Sequence, residues 1–497
     1  MNFFNINADL KKKILHTYNL TTYCVSAFCL NFSVYFFWLI IPIMMRDLGA
    51  SPMEIGLVAA VAFTAQGFMA PVCGRLADKL PPETMARFGA CLHCLTSLII
   101  AMVYITETKT IPIYFICLIQ SLGLAMYWSP TEALVGNESY AGGESKNISM
   151  FSMSFACGKA VGFLSAGTLY GLIGQTYSLY LACAEAFLLF FIITRFPQNN
   201  HLKEETVPEI NIELEALPQI EKKEREYTTE IQMTGDPKTP VVVTEQQDGV
   251  VLSESQTPRI SEEKGEAHID LSVIKHTQVI SKRPIHYFWY YINSIVFHCF
   301  VTAIVGVISN QYINYAKRTN VTLPGIIEDS DVLVGILLFI VNISQLFAYL
   351  ILGRITIWQY KLTLNLISLA IILGCVMVFY FVKNGYVLAI ASAVIGLLSG
   401  YDFQLNMFYS LNASESEKGK YMGISECSSC LSYSLAPLLA GLLSTYITLE
   451  WCMYTSFIYC ILGLIGCAAI QGYVYYIERK DRLQLQKELK IPADSMK

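Results

Sequence analysis

Four ionisable side chains lie deep inside long apolar runs of this sequence, and they are where chemistry would reside. Lys159 sits about ten residues into its run, Asp402 about fifteen, His298 about eleven and Glu185 about eight. Each such group costs about 2.5–3.5 kcal/mol at mid-bilayer, so a chain that keeps them uses them to bind, to carry charge or to neutralise one another. Glu132, Glu426 and His93 lie nearer the ends of their runs, where snorkelling or helix capping accounts for them more cheaply. Other chemistries find no support. Gly158-Lys159-Ala160 lacks the upstream glycine spacing and the hydroxyl of a phosphate-binding loop. Cys91-Leu92-His93-Cys94 and Cys427-x2-Cys430 have no second ligand pair nearby, so no metal and no cofactor is expected. The fifteen cysteines are scattered through apolar runs, as at Cys73, Cys157, Cys183 and Cys467, where they act as small packing residues. With no catalytic constellation, the chain reads as no enzyme; its chemistry is solute binding and translocation.

The elements that position these residues follow from composition. The 497 residues are 54% hydrophobic and only 15% charged, with a mean hydropathy of +0.46, too apolar for a soluble protein of this length. A bilayer core needs about 20 apolar residues per helix, and helices satisfy every backbone group in lipid. That rule gives an all-α membrane protein with twelve spans, near Thr21–Met45, Met53–Leu76, Met85–Ile105, Ile111–Val135, Ser149–Ile173, Tyr177–Ile193, Tyr287–Ile313, Val332–Leu352, Leu362–Val382, Val387–Leu411, Met422–Tyr446 and Cys452–Tyr476.

Residues 1–20 then form a cytosolic N-terminus, 21–196 a first bundle of six helices, 197–284 a linker, 285–477 a second six-helix bundle and 478–497 a cytosolic tail. Basic residues set the orientation. Lys11–Lys13, Arg75, Lys79, Arg87, Lys146, Arg354, Lys361, Lys418, Lys420 and the tail from Arg479 gather on the side of the termini, against Arg46, Lys109, Lys317, Arg318 and Lys383 on the other. No cleaved signal peptide is read, since the first helix directs insertion itself. The linker carries 17 acidic and 10 basic residues with no sustained apolar period, so it reads as a disordered cytosolic tether. Without it the chain holds 24 basic and 22 acidic residues, so the acidic net charge implies no basic partner and no nucleic acid. The two halves echo each other at an offset of 274 residues. Lys146 precedes Gly158-x3-Gly162-Phe163-x2-Ala166-Gly167, and Lys420 precedes Ala436-Pro437-x2-Ala440-Gly441.

The stretch Gly74-x3-Asp78-Lys79, where an apolar run stops at a charged turn, resembles the loop signature after the second helix of the major facilitator superfamily of transporters. Leu39-Ile40-Ile41-Pro42, Leu48-Gly49-Ala50-Ser51 and Ile55-Gly56 resemble that family's first helix, outer loop and second-helix start. Leu80-Pro81-Pro82-Glu83 departs from it, standing where a glycine and two basic residues are the rule. The resemblance implies two six-helix bundles that rock about a midplane site, with spans one, four, seven and ten lining the cavity and two, five, eight and eleven flanking it. Asp402 and His298 then face the cavity, Lys159 reaches it and Glu185 supports from outside. Two arrangements stay open: an Asp402–Lys159 pair across the cavity, or an unpaired Lys159 that takes an anionic group of the solute beside Asp402 as a proton carrier. Asn31, Tyr35, Gln120, Trp128, Asn293 and Asn406 complete a polar-aromatic site. Gly74, Asp78 and Lys79 form the conformational loop.

The implied function is secondary-active or facilitative transport of a small polar or charged organic solute by a monomer in the lipid bilayer. The coupling ion would be a proton, with symport as the mode and a plasma or organelle membrane as the place. A multidrug-type exporter, and a transporter-like sensor or scaffold signalling through the linker, are the alternatives.

Overall fold

The computed structural model describes residues 3–106, 111–137, 144–174, several positions between 177 and 188, 286–414 apart from 326 and 328, and 417–489. Eleven helices account for nearly all of them. They are α1 (Phe3–Asp47), α2 (Pro52–Ala77), α3 (Pro82–Thr106), α4 (Ile111–Asn137), α5 (Glu144–Ile173), α6 (Tyr287–Arg318), α7 (Ser330–Leu352), α8 (Leu362–Phe381), α9 (Gly385–Leu411), α10 (Lys418–Tyr446) and α11 (Trp451–Leu489). Among the described residues, ten helices are long and apolar enough to cross a membrane. The sixth expected span, Tyr177–Ile193, falls mostly outside the described residues, as do Glu185 and the 197–284 linker.

Local chemistry sets several helix ends. Ser51 caps α2 in a reciprocal box with Glu54, and Pro52 takes the first turn, where its missing N–H costs nothing. Asp329 and Asn384 cap α7 and α9 by accepting from the N–H groups of Asp331 and Tyr386. Two expected bounds need correction. The first helix starts at Phe3 and not near Thr21, and the last runs to Leu489 and not Tyr476. Charged, strongly helix-forming residues such as Lys11–Lys13 and Arg479–Lys480 carry no hydropathy signal, yet continue a helix without a break.

In the first half α1 packs on α5, and α4 on α2 and α3; in the second, α6 packs on α10 and α11, α7 on α9, and α8 on α11. Two seams join the halves: α2 against α10, and α5 against α7. Both depend on backbone approaching backbone, which only small residues permit. At one end of the first seam a Cβ on Gly74 would collide with the Gly419 carbonyl, and one on Gly419 would meet the Gly74 carbonyl at 2.5 Å. At the other end a Cβ on Gly441 would meet the Pro52 carbonyl at 2.5 Å. In the second seam a Cβ on Gly335 would lie 3.2 Å from the Cα of Gly167. Close packing is what the glycines of the internal echo do.

Polar latches close the seams at each membrane face. On the face of the chain termini, Asp78 accepts from the backbone N–H groups of Gly419 (3.0 Å) and Lys420 (3.1 Å), the second and third residues of α10. Asp78 thus caps a helix of the opposite half, placing a carboxylate at the positive end of its dipole. Beside it, the Lys418 ammonium donates to the Gly136 carbonyl at 3.1 Å. On the far face Arg46 at the end of α1 makes a bidentate pair with Asp331 at the start of α7, at 2.6 and 2.7 Å, and Lys317 joins at 3.4 Å. Both ends of the seams are shut.

Candidate functional site

Between the closed ends lies a cavity walled by α1, α2, α4, α5, α6, α7, α9 and α10, with about 100 Å³ open to the centre of a water-sized sphere. No residue of α3, α8 or α11 lines it. Helical spacing produces the wall: Leu124, Trp128 and Glu132 recur every four residues on one face of α4, and Asn31 and Tyr35 do so on α1. Lys159 stands near the middle of α5, 15 residues from its first residue Glu144 and 14 from its last, Ile173.

The sequence-derived site residues divide into two groups. Asn31, Tyr35, Trp128, Lys159, His298 and Asp402 stand on the cavity wall. Gln120, Asn293 and Asn406 do not, because each is turned into a helix–helix contact. Gln120 donates to the Ser97 hydroxyl at 3.2 Å. Asn293 donates to the Cys467 carbonyl at 3.3 Å and accepts from Asn365 at 2.6 Å. Asn406 donates to Ser425. Asn293 precedes His298 by five positions, about 140° around a helix, so the two cannot share a face. Of the loop residues, Gly74 and Asp78 make the seam and latch described above, while Lys79 is exposed at the turn.

Of the two arrangements left open, the Asp402–Lys159 pair is not formed. Asp402 is 1% exposed and its Oδ2 is 2.6 Å from His298 Nδ1, joining α9 to α6 within the second half. Lys159 is 8% exposed, and among the described residues no carboxylate lies within 4 Å of its ammonium. Its neighbours are aromatic: the ammonium lies 4.4 Å from the centre of the Tyr35 ring and 5.1 Å from that of Phe155, a cation–π cradle. A desolvated cation with no carboxylate in contact is costly to hold, and Glu426, which shares the wall without touching the ammonium, leaves room beside it for a negative charge.

Two carboxylates assigned above to helix ends also belong to this wall. Glu426 accepts from Gln66 across the first seam at 2.8 Å and from the Cys430 thiol at 3.4 Å. Glu132 is 3% exposed and its Oε2 has no partner. The displacement has a simple cause. Because α10 starts at Lys418, one turn before the expected Met422, Glu426 is eight residues in, about 12 Å from the helix start. The four-residue register Leu124–Trp128–Glu132 was the available signal for Glu132. By contrast, His93 sits away from the cavity with its Nε2 3.1 Å from the Ser33 hydroxyl. Outside the membrane-spanning segments, burial pushes the carboxyl of Asp78 above its ordinary range, and the two N–H groups of α10 pull it part of the way back.

Taken together, the arrangement is a cavity between two halves, charged within. The profile of the Major Facilitator Superfamily matches residues 23–401 and 308–490. No curated protein sequence matches the chain at a significant level. Among solved structures, the crystal structure of the human organic anion transporter MFSD10 (TETRAN) superposes with a TM-score of 0.60 at 12% identity, over 91% of this chain and 99% of that one. With the family profile spanning most of its length and its helices laid out in the family's fold, the chain belongs to the Major Facilitator Superfamily, as a multi-pass membrane transporter.

Proposed function

We propose that the protein carries a small organic solute bearing an anionic group by alternating access, as a monomer with both termini in the cytosol. Lys159 receives the anionic group, and the His298–Asp402 pair carries the coupled proton in symport. The observation that carries this reading is the Lys159 ammonium: buried, on the cavity wall, cradled by aromatic rings and without a carboxylate in reach. The organic anion named for the solved neighbour MFSD10 agrees in charge with such a site. His298 and Asp402 are joined by one short hydrogen bond, and Asp402 Oδ1 has no partner, so a proton can move onto the pair without breaking another contact. The bias of basic residues toward the face of the termini supports their cytosolic placement.

Thermal stability of the purified full-length protein tests the anion site. The probe is 3-(4-hydroxyphenyl)propionate, an aromatic monocarboxylate, titrated at two pH values against the parent, Lys159→Ala and Asp402→Asn. The expected result is stabilisation of the parent, none of Lys159→Ala, and a pH dependence that Asp402→Asn abolishes. Equal stabilisation of all three proteins would make both charges structural and remove the site.

A further inference from the structure

Hydrogen bonding on the cavity wall leans one way. The buried atoms there that lack a partner are Asn31 Oδ1, Gln66 Oε1, Glu132 Oε2, Gln345 Oε1, Asp402 Oδ1 and the Tyr349 hydroxyl; only the last can donate. Asn31 and Gln66 are 1% and 4% exposed. Their amide orientations follow from what the nitrogens do: Asn31 Nδ2 donates to the Ala27 carbonyl at 2.7 Å, and Gln66 Nε2 donates to Glu426 at 2.8 Å. It is therefore the oxygens that remain unpaired. Charge leans the same way. Glu132, Glu426 and Asp402 face Lys159 and His298, and His298 is already engaged by Asp402. Glu132 of the first half and Glu426 of the second stand on the same wall across the interface. Buried acceptors without donors are costly, and a wall built of them is complementary to a ligand that donates.

We infer that the solute is a zwitterion. Its anionic group meets Lys159, as proposed above and on which this inference rests. A cationic nitrogen with several N–H donors meets Glu132, Glu426 and the amide oxygens of Asn31 and Gln66. An ammonium carries three donors and no acceptor, so every contact it makes here is a matched one. Placed between Glu132 and Glu426, it also bridges the two halves. Bound solute then favours the closed cavity over either open form.

Charge-matched probes test this on the full-length protein in detergent at neutral pH. Tyrosine, tyramine and 3-(4-hydroxyphenyl)propionate share one body and differ only in charge; leucine, isoamylamine and 4-methylpentanoate repeat the comparison on an aliphatic body. In at least one trio the zwitterion is expected to bind about tenfold more tightly than the acid or the amine, the effect of one charge-assisted contact. Glu132→Gln and Glu426→Gln should erase its advantage over the acid. Lys159→Gln should erase its advantage over the amine.

An acid that binds the parent as tightly as its zwitterion overturns the inference and leaves the Lys159 reading standing. An amine that binds as tightly as its zwitterion, with Lys159→Gln silent, overturns the Lys159 reading itself. If no member of either trio binds, and acid alone stabilises the protein through Glu132 and Glu426, those carboxylates hold protons and the inference fails. The parent's ranking of the probes decides the matter even where a variant does not fold.

Discussion

At the scale of single residues, the site is a division of charge between partners. Asp402 is committed to His298, which leaves Lys159 available; had Lys159 and Asp402 paired, neither would be free to meet a solute. Removing one member of a buried pair strands the other, so Asp402→Ala is expected to destabilise the protein by about 3–5 kcal/mol. Asp402→Asn, which keeps an acceptor for His298, should cost only about 1–2 kcal/mol. Unfolding titrations of the two variants would show the difference, and equal losses would mean that the pair is held by packing alone. Lys159, His298 and Asp402 were legible in the sequence because a charge in the middle of an apolar run has no inexpensive explanation. Glu426 was not, because a one-turn error in where its helix begins turned a cavity residue into an end residue. Gln120, Asn293 and Asn406 were misplaced for a different reason: uncharged amides satisfy neighbouring helices as readily as ligands, and their type does not say which.

At the scale of elements, the closed state rests on two glycine-bearing seams and the latches at their ends. Gly74 faces the Gly419 carbonyl with no room for a Cβ. Gly74→Val is therefore expected to part α2 from α10 at the face of the termini, seen as faster hydrogen exchange over residues 74–80 and 417–424. Unchanged exchange there would remove the seam from the account. Arg46→Ala should act at the far face. Losing a partly buried bidentate pair is worth about 1.5–3 kcal/mol, or roughly 10- to 100-fold in the opening equilibrium, with exchange rising at 44–50 and 330–335. The latch at Asp78 also responds to pH. Asp78 stays exposed, and partial desolvation against α10 raises its carboxyl slightly more than the two N–H groups lower it, so the closed form binds the proton somewhat more tightly than one in which α10 has moved away. The resulting stabilisation is complete below the ordinary carboxylate pKa and is lost as pH rises through the raised value. Acid should therefore tighten this gate, and Asp78→Asn, uncharged throughout, should abolish the dependence. The Gly74–Asp78 motif marked the turn in the sequence. Its partner was hidden, since the N–H groups of Gly419 and Lys420 belong to the backbone and leave no signature in side-chain types.

At the scale of the whole molecule, two halves meet along seams latched at both faces and leave a charged cavity between them. Both latches are made in this structure, and the proposed alternating access requires each of them to part in turn. The helical membrane class was readable from hydropathy, because apolar runs of bilayer length have few other uses, and the two-bundle fold from the resemblance carried by Gly74, Asp78 and Lys79. The state was not, since closure depends on contacts between residues some 250 to 390 positions apart, such as Arg46 with Asp331 and Met53 with Thr445. The cavity itself explains why the charges are tolerated: each faces a space reserved for a ligand and not lipid.

The central claim, a charged and transported solute held by Lys159, is tested most directly in proteoliposomes of the full-length protein. Uptake of radiolabelled 3-(4-hydroxyphenyl)propionate and of tyrosine is followed under an imposed pH gradient, for the parent and for Lys159→Gln. Saturable uptake driven by the gradient in the parent and reduced to the level of empty vesicles in Lys159→Gln is the expected outcome. Uptake by Lys159→Gln at the parent's rate would contradict the account.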